Sequence, residues 1–344
     1  MKVLLIIGGP STEKEVSKMS AKNIRKNIRK DYEVKAVGID IDGAWYELNN
    51  DDYTSSLWLD KSIKIIDVLS YLKSFDVVFP IIHGLYGEDG SIQGLLKMAA
   101  VPYVGMNILS SSISFDKVYT KFLLNNFNIK QVPFLYIKKK KDKFVVMDDN
   151  FEEKENILEL VNNKFKYPVF VKASNQGSSV GCYKVNNDDE LLDKINKASN
   201  YDYKILIEQA INARELECAL LGNDEVIASN VGEIITKTDY YTYDSKYNDN
   251  STIINVPAKL NDNIKEQIRT MALKIYKILD GKGMARCDFF LDKDTNEIYF
   301  NEINTIPGFT NASMYPMLIK EYGINEKDLI DKLIKLALES HNLN

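Results

Sequence analysis

The sequence predicts a mixed α/β fold, with a mostly parallel sheet at the start of the chain and α+β units after it. Three observations lead to this prediction. The apolar run at residues 3–7 ends in Gly8 and Gly9, as a buried parallel strand does before a turn. Strand and helix patterns alternate through residues 1–105, as in a parallel sheet. After residue 206, most strand patterns follow one another directly.

The size and composition of the chain limit what it can be. Its 344 residues exceed one ordinary hydrophobic core and indicate two or three domains. A hydrophobic fraction of 45% and a charged fraction of 27% are typical of globular proteins. The net charge of -5 argues against nucleic acid as a partner.

The cysteines and the N-terminus favour a cytoplasmic protein. Cys182, Cys218 and Cys287 are far apart, so their spacing predicts neither a disulfide framework nor a metal site. Reduced thiols fit the cytoplasm. The apolar run at residues 3–7 is too short for a signal peptide or a membrane span, so we expect no membrane partner.

The first unit is predicted from strands that alternate with helices. Strand patterns cover residues 3–7, 34–39, 77–82 and 101–104, and helical patterns cover residues 15–28 and 92–100. Two glycine-rich turns, residues 8–9 and 83–90, follow strands at the edge where ligands of parallel sheets collect. Beside them, Glu13 could hold a substrate ammonium or cap the first helix. His83 is a better functional candidate than a core histidine.

The two later units are predicted as α+β. In the middle unit, helical patterns cover residues 116–126, 157–163 and 190–198, and strand patterns cover residues 134–137, 144–147, 169–172 and 181–185. The last unit has strand patterns at residues 206–208, 215–221, 225–231 and 253–256, and helical patterns at residues 264–279 and 326–339. The lysine run at residues 138–143 lies between two strand patterns, so a solvated hairpin loop is its simplest explanation.

Two aromatic runs near the end of the chain flank a polar turn and predict an antiparallel hairpin. Strand alternation puts Arg286 and Asp288 on one face of the first run, and Glu302 and Asn304 on one face of the second. A turn centred near Thr295 places Asp288 opposite Glu302. Like charges in this position destabilise a ladder unless a cation lies between them. Two carboxylates and an amide oxygen suit Mg²⁺, although a solvated hairpin face is the alternative.

A small, polar segment at residues 173–181 joins two predicted strands. Its backbone N–H groups and hydroxyls could wrap phosphate oxygens, although a plain hairpin turn explains it equally well. Lys172 ends a buried strand, which is costly unless its ammonium reaches an anion. Neither GxxxxGK[ST] nor GxGxxG occurs, which excludes a P-loop and argues against a nicotinamide dehydrogenase.

Three further segments carry weaker signals. Residues 208–215 lead from an apolar strand into a loop, where free backbone groups could bind a purine edge and Glu215 could accept from ribose hydroxyls; a strand end with solvated charges is the alternative. The tyrosine-rich residues 240–248 predict a long loop, either an active-site lid or a surface turn. Residues 304–310 contain Gly308, where the backbone N–H could stabilise an oxyanion, or where a Pro-Gly turn has no ligand.

Together these segments resemble the ATP-grasp superfamily, and more narrowly the D-alanine–D-alanine ligase family. The matching segments are residues 8–17, 83–90, 115–117, 172–181, 208–215, 241–247, 286–288 and 302–314. The resemblance implies a three-domain ATP-grasp architecture. Its parts are a Rossmann-like substrate domain (1–105), a central ATP-grasp lid domain (106–205) and a C-terminal metal and catalytic domain (206–344). A homodimer is implied as well.

The resemblance also implies that ATP lies between the second and third domains. The residues implied to bind it are Lys117, Lys172, Ser178, Ser179, Glu208, Gln209, Ile211, Glu215 and Lys246. The lysines would neutralise the phosphates, and the glutamates would hold the adenine and ribose. Two Mg²⁺ ions, for which Mn²⁺ can substitute, are implied at Asp288, Glu302 and Asn304.

The implied reaction joins two D-alanines for peptidoglycan synthesis, with ATP as the other substrate. The carboxylate of the first D-alanine attacks the γ-phosphate, and the amine of the second attacks the resulting acyl phosphate. The implied catalytic residues are Glu13, Ser178, Tyr247, Arg286 and Gly308. The implied substrate-binding residues are Glu13, His83, Arg286, Gly308, Ser313 and Met314. Glu13 would pair with the first ammonium, and Arg286 with the Gly308 N–H would stabilise the oxyanion.

The identity of the second substrate is the least constrained part of this interpretation. Lys246 and Tyr247 argue for an amine, because relatives that use D-lactate carry a histidine in the lid. D-serine adds one hydroxyl, which a small pocket rejects weakly, so a D-Ala–D-Ser ligase is one alternative. A non-catalytic ATP-binding module is another, against which the intact metal ligands argue. Ala173, Gln209 and Met314 differ from the residues common in relatives, so the contacts of Gln209 and Met314 are the least secure.

Overall fold

The structure is a computed structural model that describes residues 1–141, 143–235 and 252–342. The helices over these residues are α1 (Lys14–Asn27), α2 (Val68–Leu72), α3 (Ser91–Met98), α4 (Ile108–Phe115), α5 (Lys117–Asn125), α6 (Ile157–Lys164), α7 (Asp188–Ala198), α8 (Asp262–Ile278), α9 (Met314–Glu321) and α10 (Glu326–Asn342). The strands are β1 (Lys2–Gly8), β2 (Glu33–Ile39), β3 (Trp45–Glu47), β4 (Ile63–Lys64), β5 (Val77–Ile81), β6 (Phe134–Lys140), β7 (Lys143–Met147), β8 (Glu153–Lys154), β9 (Val169–Ala173), β10 (Cys182–Val185), β11 (Lys204–Gln209), β12 (Ala213–Leu221), β13 (Ile227–Ile235), β14 (Ile253–Asn255), β15 (Met284–Asp292) and β16 (Ile298–Asn304).

The first sheet has the order β4-β3-β2-β1-β5. Strands β2, β1 and β5 are parallel, and β3 and β4 add antiparallel strands beside β2, which confirms the predicted mostly parallel sheet. The strand predicted at residues 101–104 is wrong, because Tyr103 makes only an isolated bridge with Val78. Pro102 has no N–H to extend a ladder, and Gly105 turns the chain away at a φ of 111°. In α1, Val16 and Ile24 are buried, whereas Met19 is 41% exposed.

The second sheet has the order β10-β9-β11-β6-β7-β8 and is antiparallel throughout. Helices α6 and α7 pack on it over a core of aliphatic side chains that includes Val171, Leu191 and Ile207. The hairpin from β9 to β10 contains the small, polar segment, and Lys172 lies opposite Cys182 in its ladder. The lysine run lies in the hairpin between β6 and β7, as predicted: β6 extends to Lys140, Lys141 is in the turn and β7 begins at Lys143.

The third sheet has the order β14-β13-β12-β15-β16 and is also antiparallel. Helix α8 covers one face with the apolar stripe predicted for it, including Ile268 and Ile275. The other face shares a core with α9, α10 and the first sheet, where Leu221 and Met284 lie in the same cluster as Phe79. The first and third units therefore pack directly on each other. Among the described helices, none combines the length and the apolar character needed to cross a membrane.

Candidate active site

A cleft of about 930 Å³ lies between the second and third sheets. Of the residues predicted for nucleotide and metal, those lining it are Lys117, Lys172, Ser178, Ser179, Glu208, Gln209, Ile211, Glu215, Asp288 and Glu302. Arg286 lines it as well. The structure thus brings together groups that are up to 185 residues apart in the sequence (117 to 302). Lys246 and Tyr247 of the predicted lid lie outside the described residues.

The acidic hairpin has the register predicted from the sequence. Asp288 pairs with Glu302, and Arg286 pairs with Asn304, so all four side chains lie on one face. Arg286 donates from Nε and Nη2 to the two carboxylate oxygens of Asp288, each at 2.8 Å. The amide nitrogen of Asn304 donates to Asp288 at 3.0 Å. This fixed, two-point contact orients the Asp288 carboxylate beside the cleft.

Cations surround these carboxylates on both sides. The Nε of Arg286 also lies 2.7 Å from an oxygen of Glu217. Burial alone would lower the pKa of Arg286, but Asp288 and Glu217 outweigh burial and raise it well above its usual value. On the other side, the Lys117 ammonium lies 3.2 Å from Glu302 and donates to the Gln176 carbonyl at 2.7 Å. Lys117 therefore joins the small, polar segment to the acidic hairpin.

The donor set of the hairpin fits a hard cation. Asp288 and Glu302 supply carboxylate oxygens on one face of β15 and β16, and Asn304 supplies an amide oxygen once its side chain rotates. In the part of the chain that the structure describes, no group of three or more His, Cys, Asp or Glu side chains has metal-ligand geometry. Mg²⁺ usually takes one or two carboxylates and completes its shell with phosphates and water, so two carboxylates suffice.

A buried Lys–Glu–Lys cluster lies at the floor of the cleft. Glu208 contacts Lys172 at 2.6 Å and Lys121 at 2.7 Å, and the side chains of Glu208 and Lys121 are only 3% and 2% exposed. Burial would raise the pKa of Glu208, but the two ammonium groups outweigh burial and lower it to about 2. Burial lowers the pKa of Lys121. Lys172 and Glu208 were predicted from the sequence, but Lys121 was not, because its position on an amphipathic helix is that of an ordinary surface lysine.

Glu13 lies where the first sheet meets the small, polar segment. The Ser178 hydroxyl donates to Glu13, so the predicted pair is in contact. A Cβ on Gly84 would lie 2.6 Å from a Glu13 oxygen, and a Cβ on Gly177 would lie 2.8 Å from the same oxygen. Glycine at both positions is therefore what leaves room for the carboxylate. Ser178 and Ser179 both have a positive φ, at 49° and 61°, so the turn itself is tightly wound.

A buried carboxylate, which was not predicted from the sequence, holds the loop after β16 in place. Glu88 accepts hydrogen bonds from the backbone N–H groups of Gly84, Thr305 and Ile306, at 3.0, 2.8 and 2.9 Å. Burial raises the pKa of Glu88 to about 7, although these three donors oppose the rise. The signal that could have found it is an acidic residue inside a glycine-rich turn at the end of a buried strand. Glu88 joins the turn after β5 to the loop that contains Gly308.

The remaining predicted substrate residues lie around this loop. His83 is 3% exposed, and its ring nitrogens contact Ile306 O and Ser20 Oγ. A Cβ on Gly308 would lie 2.8 Å from the Ser313 hydroxyl, so these two residues are adjacent. Met314 is buried at the start of α9.

The far end of the cleft is apolar. Phe170 and Phe290 line it, and the Lys172 ammonium lies 5.9 and 6.0 Å from their ring centroids. The Gln209 side chain bonds both backbone groups of Lys166, at 3.0 Å from N and 2.8 Å to O. Its amide is thus occupied by the protein itself. The two aromatic rings were not singled out from the sequence, because aromatic residues in strands are usual core residues.

Comparison with known proteins agrees with this geometry. Profiles of the D-ala D-ala ligase N-terminus and C-terminus match residues 2–106 and 123–335. The D-alanine–D-alanine ligase of Caldicellulosiruptor bescii is 45% identical over 99% of this chain and 96% of its own length. That of Clostridium acetobutylicum is 44% identical over 99% of both.

Two solved structures share the fold over nearly the whole chain. One is the VanG D-Ala:D-Ser ligase from Enterococcus faecalis, with a TM-score of 0.86, 32% identity and coverage of 98% of this chain and 99% of that one. The other is the D-alanine–D-alanine ligase from Coxiella burnetii, with a TM-score of 0.86, 32% identity and coverage of 100% and 95%. The predicted three-domain ATP-grasp architecture is confirmed, and the chain belongs to the D-alanine–D-alanine ligase family.

Proposed function

We propose that this protein joins two D-alanines to D-alanyl-D-alanine with hydrolysis of ATP to ADP, as a step in peptidoglycan precursor synthesis. The observation that carries the proposal is the joint placement of Lys117, Lys172, Asp288 and Glu302 around one cleft, with Glu13 close by. Two cations and two carboxylates at one point suit a triphosphate with its metal ions. The relatives at 44% and 45% identity carry the same activity in their names.

ATP would lie with its adenine between Phe170 and Phe290 and its phosphates toward Lys117 and Lys172. Glu215, which lines the cleft, would accept from the ribose hydroxyls. Lys172 now contacts Glu208, so phosphate binding would draw its ammonium toward the cleft.

Asp288, Glu302 and Asn304 would hold two Mg²⁺ ions. When bound, these ions would neutralise the charge on the phosphate oxygens. The chain's own part in that neutralisation falls to Lys117, which already lies beside Glu302. Arg286 is oriented by Asp288 and Glu217, so its guanidinium cannot rotate freely away from the reacting carbonyl.

The reaction would proceed by two displacements. The carboxylate oxygen of the first D-alanine attacks the γ-phosphorus of ATP, and ADP leaves. The amine of the second D-alanine, after losing a proton, attacks the carbonyl carbon of the acyl phosphate, and inorganic phosphate leaves. Glu13 would hold the first ammonium, and Ser313 with the Met314 backbone would hold the second carboxylate. Arg286 and the Gly308 N–H would stabilise the oxyanion between the two steps.

A D-Ala–D-Ser ligase is the second candidate. The solved VanG D-Ala:D-Ser ligase and the solved D-alanine–D-alanine ligase give the same TM-score of 0.86 against this chain. The fold therefore does not separate the two substrates. Higher sequence identity to D-alanine–D-alanine ligases, at 45% and 44%, favours D-alanine.

We also propose that the protein acts in the cytoplasm, forms a homodimer and has no nucleic-acid partner. We propose domain boundaries near residue 105 and after Gln209. The pairing of β11 with both β9 and β6 supports a second boundary at the end of β11 rather than at residue 205.

The test is phosphate release with ATP and Mg²⁺, with D-alanine alone and then with added D-serine or D-lactate, and with the product identified by mass. Turnover with D-alanine alone, giving the dipeptide, supports the main proposal. Turnover only with added D-serine moves the protein to the second candidate. Absence of turnover with every pair contradicts both.

A further inference from the structure

A closed ring of hydrogen bonds brackets the loop that contains Gly308. The Ile306 carbonyl contacts Nδ1 of His83 at 2.8 Å, and Nε2 of His83 contacts the Ser20 hydroxyl at 3.0 Å. The same hydroxyl accepts from the Phe309 N–H at 3.0 Å. Ser20 is fully buried and His83 is 3% exposed, so water has no access to replace these contacts.

The chemistry of each group fixes the direction of every bond in this ring. A carbonyl oxygen only accepts, so Nδ1 of His83 must carry the hydrogen that reaches Ile306. Burial lowers the pKa of His83, which favours the neutral ring and leaves Nε2 as an acceptor. The Ser20 hydroxyl then donates to Nε2 while it accepts from Phe309. Each donor has one acceptor, and the ring has a single consistent arrangement.

The N–H of Gly308, at the centre of the loop, is not part of this ring of hydrogen bonds. Pro307 has no N–H, and no hydrogen bond from the Gly308 N–H is formed within the described part of the chain. Asn23, one turn after Ser20 on α1, donates to the Phe309 carbonyl at 2.9 Å and to Glu326 at 2.9 Å. The loop is therefore held at both ends, while none of the described residues accepts a hydrogen bond from the Gly308 N–H between them.

We propose that Ser20 is a positioning residue, whose hydroxyl joins His83 to the Phe309 N–H and so fixes the Gly308 N–H where the oxyanion forms. This inference rests on the proposed function, because the oxyanion belongs to the attack on the acyl phosphate. His83 has the same positioning role, since its two ring nitrogens contact the Ser20 hydroxyl and the Ile306 carbonyl. A preorganised donor of this kind accelerates the step in which charge develops and leaves ATP binding alone.

The matched variants are Ser20→Ala and Ser111→Ala. Both serines are fully buried in helices, but the Ser111 hydroxyl has no hydrogen-bond partner among the described residues, so its removal controls for loss of a buried oxygen. Ser20→Cys is a second variant, whose thiol is a weaker donor and acceptor and which should be intermediate. If Ser20→Ala fails to fold, the same measurements are made on Ser20→Cys.

The first measurement is amide hydrogen exchange at Phe309, which needs no activity. We expect exchange about tenfold faster in Ser20→Ala, since one hydrogen bond of roughly 1.4 kcal/mol is lost, and unchanged exchange in Ser111→Ala. Equal exchange at Phe309 in the wild type and in Ser20→Ala would contradict the positioning role of Ser20. This result stands even if the wild type forms no dipeptide, which would contradict the proposed function separately.

The second measurement compares the two chemical steps. Scrambling of ¹⁸O between bridging and non-bridging positions of ATP, with D-alanine present, reports reversible acyl-phosphate formation. In Ser20→Ala, kcat for dipeptide should fall about tenfold or more, while scrambling is largely kept and the KM for ATP stays within about twofold. A fall of both rates by the same factor indicates a general folding defect and overturns the proposal.

Discussion

Asp288 lies directly opposite Glu302 because β16 has one extra, unpaired residue, Asn301, in its ladder with β15. Nearer the turn Phe289 pairs with Phe300, and the register then shifts so that Asn301 has no opposite residue. Such a β-bulge changes which face of the sheet the following side chains occupy. Without the extra residue, Glu302 would turn to the other face of the sheet, away from Asp288. The bulge therefore creates the acidic pair beside the cleft.

Replacing Glu302 with Gln should abolish Mg²⁺-dependent ATP turnover and leave the fold intact. The change removes one charge from the predicted metal site with almost no change in volume, and the lost ion pair with Lys117 is partly exposed, at 24% and 18%. We therefore expect a loss of stability under about 1 kcal/mol. Glu297→Gln, directly before the same strand and in an exposed pair with Lys130, is the control. Phosphate release near the wild-type rate from Glu302→Gln would contradict the metal assignment.

The hairpin was predictable because its signals are local. Apolar alternation and a polar turn fix which residues share a face, and this was enough to place Asp288 opposite Glu302. The turn was expected to be centred at Thr295, but the pairs next to it, such as Leu291 with Ile298, are centred half a residue earlier. The extra residue of the bulge then restores the expected pairing of Asp288 with Glu302. The sequence carried no signal for the bulge itself.

Contacts between distant segments were not predictable in the same way. Lys121 and Glu88 are charged residues in ordinary positions, and only tertiary packing buries them beside Glu208 and Thr305. Helix α4 was missed because its serines favour turns, yet Asn107 caps it and donates to Asp280 at 2.9 Å. These features depend on which surfaces meet, and a single sequence does not encode that in a local pattern.

Gly177→Ala should weaken binding of the first D-alanine. A Cβ at this position would lie 2.8 Å from a carboxylate oxygen of Glu13, so the flexible carboxylate must move away from Ser178. Loss of one charge-assisted hydrogen bond predicts a rise of about tenfold in the KM for D-alanine and a smaller change in the KM for ATP. Gly94→Ala is the control, because a Cβ there meets no atom within 4 Å. An unchanged KM for D-alanine would argue against Glu13 as the ammonium ligand.

Glu208→Gln should destabilise the protein strongly, and Lys121→Met should partly relieve that effect. Removing Glu208 leaves the ammonium groups of Lys121 and Lys172 without their counter-charge, which costs about 3 kcal/mol or more. Removing Lys121 as well takes away one of these two charges, so the double variant should lose less stability than the sum of the single variants. Urea unfolding of the two single variants and the double variant measures the coupling, which we expect to exceed about 1 kcal/mol. Lys130→Met, in an exposed pair, controls for loss of a lysine and should cost under about 1 kcal/mol. Additive effects of the two buried substitutions would show that Lys121 and Glu208 do not compensate each other.

Glu88 should make the protein less stable as the pH rises. Burial raises its pKa in the folded protein from 4.5 to about 7, so between these values the folded state binds a proton that the unfolded state has released. The contribution of Glu88 to the free energy of unfolding is complete below about pH 4.5 and is lost as the pH passes about 7, with a total of about 3 kcal/mol. Glu88→Gln removes this dependence, so the stability difference between wild type and variant should shrink by that amount from pH 5 to pH 8. Urea unfolding across this range measures it, and Glu225→Gln, at an exposed position, is the control. Parallel stability curves for the wild type and Glu88→Gln would mean that the three backbone donors hold Glu88 ionised in spite of its burial.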